Sequence, residues 1–415
     1  MGAGYPTEDI YMSKLSKMRF SKAFFDIAFL FPSLFYIETD YTEVMHIGTP
    51  RVYYTNMHTE LQDSLLDKFG RLIDAAGIES IDMDRRFVAI KTHFGELGNL
   101  AFLRPNYSKV VADKISQKGG VPFLTDCSTL YAGKRKNAVE HLCTASANGF
   151  NPLSTGCHII IGDGLKGTDD VEVPIDGEYV RAAKIGREIF DADVLISLNH
   201  FKCHELTGFG GAIKNVGMGC ASKRGKMELH TSGKPAVADE KCRGCKKCLE
   251  ACAHAAITVS KKASIDRSLC VGCGRCIGMC SFDAIKAEMD EAMDIICFKI
   301  VEYAKAVLSG RPSFHVSVIA DVSPFCDCHK ENDIPIIPNV GMLASFDPVA
   351  LDKACVDLAQ KQPMIVGSRL YINSKGVKPD DIFECTHPST KWQATFKHAE
   401  KMGLGSSKYE LIEIK

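Results

Sequence analysis

The chain has 415 residues, 46% hydrophobic and 24% charged, the composition of an ordinary globular protein long enough for two or three domains. Lys and Arg total 50 against 51 Asp and Glu, and a net charge of -1 leaves no basic surplus for phosphate backbones, so no nucleic-acid partner is expected. Eighteen cysteines in so long a chain exclude a small disulfide scaffold and point to thiols kept reduced for metal, hence to a cytoplasmic location.

Residues 1–44 read as an N-terminal extension: a start placed too far upstream, with Met45 the natural beginning, or a surface appendage, with a membrane-surface anchor as the alternative. Their aromatic run, Phe24 to Ile37, is interrupted by Asp26 and Pro32 and is too short to cross a bilayer, so no integral membrane association is expected. From Arg51 onward short apolar runs alternate with helical periods. Strands are predicted at Arg51 to Thr55, Phe87 to Thr92, Val121 to Asp126, His158 to Ile161, Asp193 to Leu198 and Phe314 to Asp321. Helices are predicted at Leu61 to Ala76, Ser108 to Lys118, Asn137 to Ala147, Tyr179 to Phe190 and Pro348 to Gln360. Such alternation predicts an α/β fold, a mostly parallel sheet with helices on both faces, in two parts, 45–234 and 290–415.

Residues 235–289 break the rhythm. Cys242, Cys245, Cys248 and Cys252 are followed by Cys270, Cys273, Cys276 and Cys280, two C-x2-C-x2-C-x3-C runs that lie 28 residues apart (270 − 242). This is the spacing that holds cubane [4Fe-4S] clusters, the fourth cysteine of each run serving the other cluster. The expected ligand sets are Cys242, Cys245, Cys248 and Cys280 for one cluster, and Cys270, Cys273, Cys276 and Cys252 for the second. The segment is thus predicted to be an inserted α+β dicluster ferredoxin-like domain. Gly244, Gly272 and Gly274 give the loops the backbone freedom such wrapping needs. Zinc is the alternative for C-x2-C, but a duplicated four-cysteine run exceeds what two zinc sites need. The proline that commonly follows the fourth cysteine is replaced by Ala253 and Ser281, a change that alters the turn and removes no ligand. Nine Lys or Arg against six Asp or Glu within Ala236 to Met289 suit an acidic redox partner such as a ferredoxin or flavodoxin, or simply a solvated surface.

A second signal is positional, because several strands are expected to end in polar groups: His93 and Glu96; Asp126 and Cys127; His200, Lys202, Cys203 and His204; and Cys326, Asp327, Cys328 and His329. In open α/β sheets the ligand crevice lies at the carboxyl ends of the strands, so these groups are expected to share one cleft. Gly208, Gly210 and Gly211, ahead of a short helix carrying Lys214, form a candidate anion loop for phosphate or carboxylate, with a packing turn as the alternative. His200 and His204 are candidate proton-transfer residues beside Lys214. Cys326, Cys328 and His329 read as a further metal or thiol pair, or as ordinary strand-end residues. No G-x-G-x-x-G dinucleotide fingerprint follows a strand.

His93-Phe-Gly-Glu96, Thr125-Asp-Cys127, His200-Phe-Lys-Cys-His204, Gly208 to Asn215 and Ser345-Phe-Asp-Pro348 together resemble the iron-sulfur center proteins of the domain-of-unknown-function 362 family, over roughly Arg51 to Met402. The resemblance implies an α/β fold and cluster binding, without a settled substrate. The expected function is electron transfer through two [4Fe-4S] clusters to or from a site in the α/β domain. The alternatives are a reductase acting on a small anionic compound and a protein whose clusters brace the fold or sense oxygen.

Overall fold

The computed structural model describes residues 48–130, 133–230, 234–287 and 292–415. The N-terminal extension and parts of the polar flanks of the cysteine region lie outside the described residues. Residues from His46 to the C-terminus form one compact unit.

Sixteen strands are described: β1 (Arg51–Asn56), β2 (Phe87–Lys91), β3 (Val121–Asp126), β4 (His158–Ile161), β5 (Asp170–Pro174), β6 (Ala182–Gly186), β7 (Val194–His200), β8 (Lys202–His204), β9 (Gly208–Gly210), β10 (Pro235–Val237), β11 (Ile257–Val259), β12 (Ala263–Ile265), β13 (Ile285–Ala287), β14 (Ser313–Ile319), β15 (Gly341–Ser345) and β16 (Glu410–Glu413). Eight of them build one sheet in the order β16-β1-β15-β14-β7-β2-β3-β4. All neighbours are parallel except at β15, which runs antiparallel to both β1 and β14. The carboxyl ends of β2, β3, β7 and β14 therefore open on the same edge.

Burial on both faces explains the apolar strands. Val194, Ile196 and Leu198 of β7 pack on one side with the helices Leu65–Ala75 and Pro105–Gln117. Leu195 faces the other core, with the helices Met293–Leu308 and Pro348–Gln360. The first helix begins later than its apolar pattern suggests, because Ser64 and Asp67 close a reciprocal capping box at Leu65. The segment expected to be a helix from Tyr179 to Phe190 is instead β6 followed by a short helix, Arg187–Phe190. Its buried positions Ala183 and Ile185 alternate at the strand period, and β5 pairs alongside. Glu302 fixes the entry to this strand by accepting the N–H groups of Glu178 and Val180 at 2.9 and 2.7 Å.

The cysteine region repeats its backbone as well as its spacing. β10 and β12 occupy matching places 28 residues apart (263 − 235), as do β11 and β13, and as do the helices Lys247–Ala251 and Arg275–Met279. The left-handed backbone positions also match: Gly244 with Gly272, Lys246 with Gly274, Ala255 with Asp283. The two units are exchanged crosswise, since β10 pairs with β13 and β11 with β12, both antiparallel. Each small sheet thus takes one strand from each repeat.

Candidate functional site

A pocket opens at the carboxyl edge of the large sheet. Lys91 from β2, Asp126 from β3, His200 from β7 and Lys202 from β8 line it, together with His93, Arg135, Lys214, Lys226, Cys326 and Cys328. The strand-end groups from four separate parts of the chain are brought together here. Lys91 is fully buried, with Nζ 3.0 Å from Asp126 Oδ1 and donating to Asn215 Oδ1 at 2.7 Å. Burial opposes ionisation of Asp126, but Lys91 and other positive neighbours outweigh it and hold the carboxyl below the ordinary range. Arg135 lies 3.1 Å from Glu96 and 3.8 Å from Asp126, and its Nη2 has no hydrogen-bond partner among the described residues. Burial, then the Arg135 guanidinium, pushes His93 well below the usual imidazole value, so it is neutral.

Asp327 organises the opposite wall. Its carboxylate takes His200 Nδ1 at 2.9 Å and Lys202 Nζ at 2.8 Å, all three side chains being buried. His200 Nε2 meets the Ala320 carbonyl at 2.7 Å, so both ring nitrogens face oxygen acceptors and neither is free to shuttle a proton. The proton-transfer role expected for His200 thus meets a ring already engaged at both nitrogens. The Asp327 carbonyl accepts Glu96 N–H at 2.8 Å, and His329 N–H closes a turn onto the Cys326 carbonyl at 3.0 Å. This turn is pinned from both sides and presents Cys326 and Cys328 to the pocket.

His204, Cys326 and Cys328 have ligand atoms within 4.8 Å of one another. His204 Nδ1 accepts the N–H groups of Leu206 and Thr207 at 3.1 and 3.2 Å, which leaves the ring proton on the other nitrogen. Lys214 Nζ is 3.8 Å from Cys326 Sγ. A hydrogen bond from Cys328, reinforced by Lys214 and His204 against the effect of burial, holds the Cys326 thiol well below its ordinary value. The same contact and burial raise Cys328. Cys328 also borders Glu205 and His329, themselves paired at 2.7 Å.

The glycine loop differs from expectation. Gly208 and Gly210 belong to the hairpin of β8 and β9. The first amides of the helix Ala212–Gly217 are bound by Asp352, from Ala212 at 2.6 Å and Ile213 at 2.9 Å. A Cβ on Gly211 would lie 2.2 Å from Asp352 Oδ1, so the glycine makes room for this carboxylate. The anion place at the helix start is filled from within, while Gly210, Gly211 and Lys214 still border the pocket. Cys203 turns away into the core beside Phe201 and Phe209.

In the cysteine region Cys242, Cys245, Cys248 and Cys280 line one cavity, and Cys252, Cys270, Cys273 and Cys276 line another. Three sulfurs of each set come from one repeat and the fourth from the other. Backbone N–H groups of Ala263 and Ala284 point at Cys242 Sγ and Cys280 Sγ, both at 3.3 Å. Four soft sulfurs about one space form a donor set that fits an anionic iron-sulfur cluster, and both amide contacts fall on the first of the two cavities.

The helix Lys223–His230 joins the two regions, since Lys226 lines the pocket while Lys223 and Met227 reach the cysteine loops. A Cβ on Gly274 would lie 2.8 Å from Lys223 Cγ, so only glycine admits this approach. Lys223 Nζ donates to the carbonyls of Lys136 and Lys166 at 2.6 and 2.9 Å, and Lys136 Nζ donates to that of Cys280 at 3.1 Å. Arg135, Lys226 and Asp352 escaped the sequence reading. Lys91 offered a usable signal there, a lone charge directly after the apolar run Phe87 to Ile90.

Fold and site define a cysteine-rich α/β protein with a buried, cation-lined pocket at the strand ends. The chain belongs to the family described as a domain of unknown function, DUF362, whose profile matches residues 88–357. A structural-genomics protein from Thermotoga maritima matches at 14% identity and a TM-score of 0.38, covering 73% of this chain and 61% of that one. The lactate racemase apoprotein from Thermoanaerobacterium thermosaccharolyticum matches at 13% identity and a TM-score of 0.33, covering 65% of this chain and 51% of that one. The matched region therefore spans less than two thirds of either structure's length. No curated protein matches the chain. Among the described residues no helix is long and apolar enough to cross a membrane.

Proposed function

We propose that the protein binds two [4Fe-4S] clusters and passes electrons between them and the pocket of the α/β body. The observation that carries the reading is the crosswise repeat, which lines two cavities with four cysteines each, one of the four lent by the other repeat. The clusters, when bound, supply one-electron transfer. The chain's part is to hold the sulfurs, to aim the Ala263 and Ala284 amides at them, and to tie their loops to the pocket wall through Lys223 and Met227. Anaerobically prepared protein is expected to carry about eight irons and eight sulfides per chain, with a reversible paramagnetic signal on reduction. Zinc instead of iron would sink the proposal. Clusters that form but cannot be reduced would leave only a bracing or sensing role.

A second reading is a reductase acting on a small anion. It is favoured by the lining of the pocket, where Lys91, Arg135, Lys202, Lys214 and Lys226 accompany Asp126, with Asp327 behind Lys202. Arg135 Nη2, buried and without a partner among the described residues, is the kind of donor that an anion would satisfy. Lys214→Ala is expected to weaken small-anion binding roughly tenfold or more with iron content unchanged. Unaltered affinity in calorimetry, or loss of iron, would remove the support for this reading.

A further inference from the structure

We infer that Cys326 and Cys328 form a two-electron dithiol/disulfide centre at the pocket floor, with a small anionic disulfide as the class of compound it reduces. The electron supply in this inference rests on the cluster reading above, while the thiol chemistry does not.

Several observations converge on the pair. The sulfurs sit one residue apart on a hydrogen-bonded turn, both border the pocket, and both lie within 4.8 Å of each other and of His204. The turn is immobilised by the buried Asp327 contacts to His200 and Lys202, so the two sulfurs keep their relation without a disulfide. Lys214 approaches Cys326 at 3.8 Å, and His204 has its proton on the nitrogen left free by Leu206 and Thr207. One sulfur is thereby surrounded by donors, as a nucleophilic thiolate requires, and its neighbour stands ready as the resolving thiol. The same three side chains could be taken for a metal donor set. The His204 tautomer argues otherwise, because the ring turns a proton rather than a lone pair toward the sulfurs.

The chemistry balances. The Cys326 thiolate attacks one sulfur of the anionic disulfide, forming a mixed disulfide and releasing one thiolate. Cys328 then attacks Cys326 Sγ, its proton leaves on the second departing thiol, and the Cys326–Cys328 disulfide closes. Two electrons and one proton restore the thiolate and thiol, and two one-electron clusters are suited to deliver them. The cations along the pocket wall would hold the negative charge of the incoming compound.

The test uses the anaerobic full-length holoprotein and one equivalent of dithiobis(nitrobenzoate), an anionic disulfide. Peptide mass analysis after thiol trapping is expected to show loss of two hydrogens confined to the peptide bearing Cys326 and Cys328, with iron retained. Cys328→Ser is expected to stop at a stable adduct on Cys326, and Cys326→Ser to give neither product. Reaction at other cysteines in place of this pair, or an unchanged pattern in Cys326→Ser, overturns the inference. So does a tightly held metal beyond the cluster irons that Cys326→Ser loses. Photochemical one-electron reduction should then regenerate the thiols in the wild type and at least tenfold more slowly in Cys276→Ala. If the disulfide forms and only this last arm fails, the electron route is wrong and the dithiol stands. If iron is present and no disulfide forms, the dithiol fails and the cluster reading stands.

Discussion

The cysteine region and the pocket solve the same problem, gathering costly groups about one space, in opposite ways. In the cysteine region eight sulfurs come from 39 consecutive residues (242–280), and the geometry is carried by a local repeat of turns, short helices and strand pairs. In the pocket Lys91 and Cys328 are separated by 237 positions (328 − 91), and nothing local brings them together. There the large sheet does the work, by placing the ends of β2, β3, β7 and β14 on one edge. The teaching is that a site built on a motif depends on each ligand, whereas a site built on a sheet depends on the buried charges that pin its loops.

The sharpest way to break the comparison is through the exchanged cysteines. If each cavity borrows its fourth sulfur from the other repeat, Cys280→Ala must empty the cavity of Cys242, Cys245 and Cys248 rather than that of its own run. Iron is expected to fall from about eight to about four per chain, and the remaining signal to belong to the set containing Cys252. Loss confined to the second run's cavity would overturn the crosswise arrangement. A smaller effect is expected from Asp327→Asn, which leaves iron in place and strips the carboxylate partner from buried Lys202 and from the buried His200 ring. Removing one member of such a buried set costs roughly 3–5 kcal/mol, readable in denaturant unfolding. An unchanged unfolding midpoint would mean that the turn at Cys326 is not pinned by this carboxylate.

The same contrast explains how much could be read in the sequence. The cysteine runs were legible as a repeat because their spacing recurs, and each of the two cavities is lined by three cysteines of one run and one of the other. The mostly parallel sheet was legible from strand-helix alternation, and so was the gathering of polar strand ends at one edge. The roles within that edge were not. His200 looked like a proton shuttle until Ala320 and Asp327, 120 and 127 residues onward, were found on its two nitrogens. The glycine loop looked open to an anion because Asp352, 140 residues beyond Ala212, could not be placed on its amides. Tyr179 to Phe190 satisfied a helical period while its burial followed a strand, and only the β5 partner and the Glu302 clamp decide between them.

Asp352 gives the third effect, one confined to pH. Burial pushes its carboxyl up to about 7 from an ordinary 3.8, outweighing the two backbone N–H groups that favour the charged form. Below about pH 4 the side chain is protonated in both folded and unfolded chains. Between there and pH 7 the unfolded chain has given up this proton and the folded chain keeps it, so the folded state binds more protons. This contribution to stability is therefore complete at low pH and is lost as pH rises through the folded value, at up to about 1.4 kcal/mol per unit. Asp352→Asn carries no titrating proton, and its unfolding free energy should be flatter than that of the wild type between pH 4 and 7. Parallel curves for the two proteins would mean that the helix start at Ala212 holds an ionised carboxylate throughout.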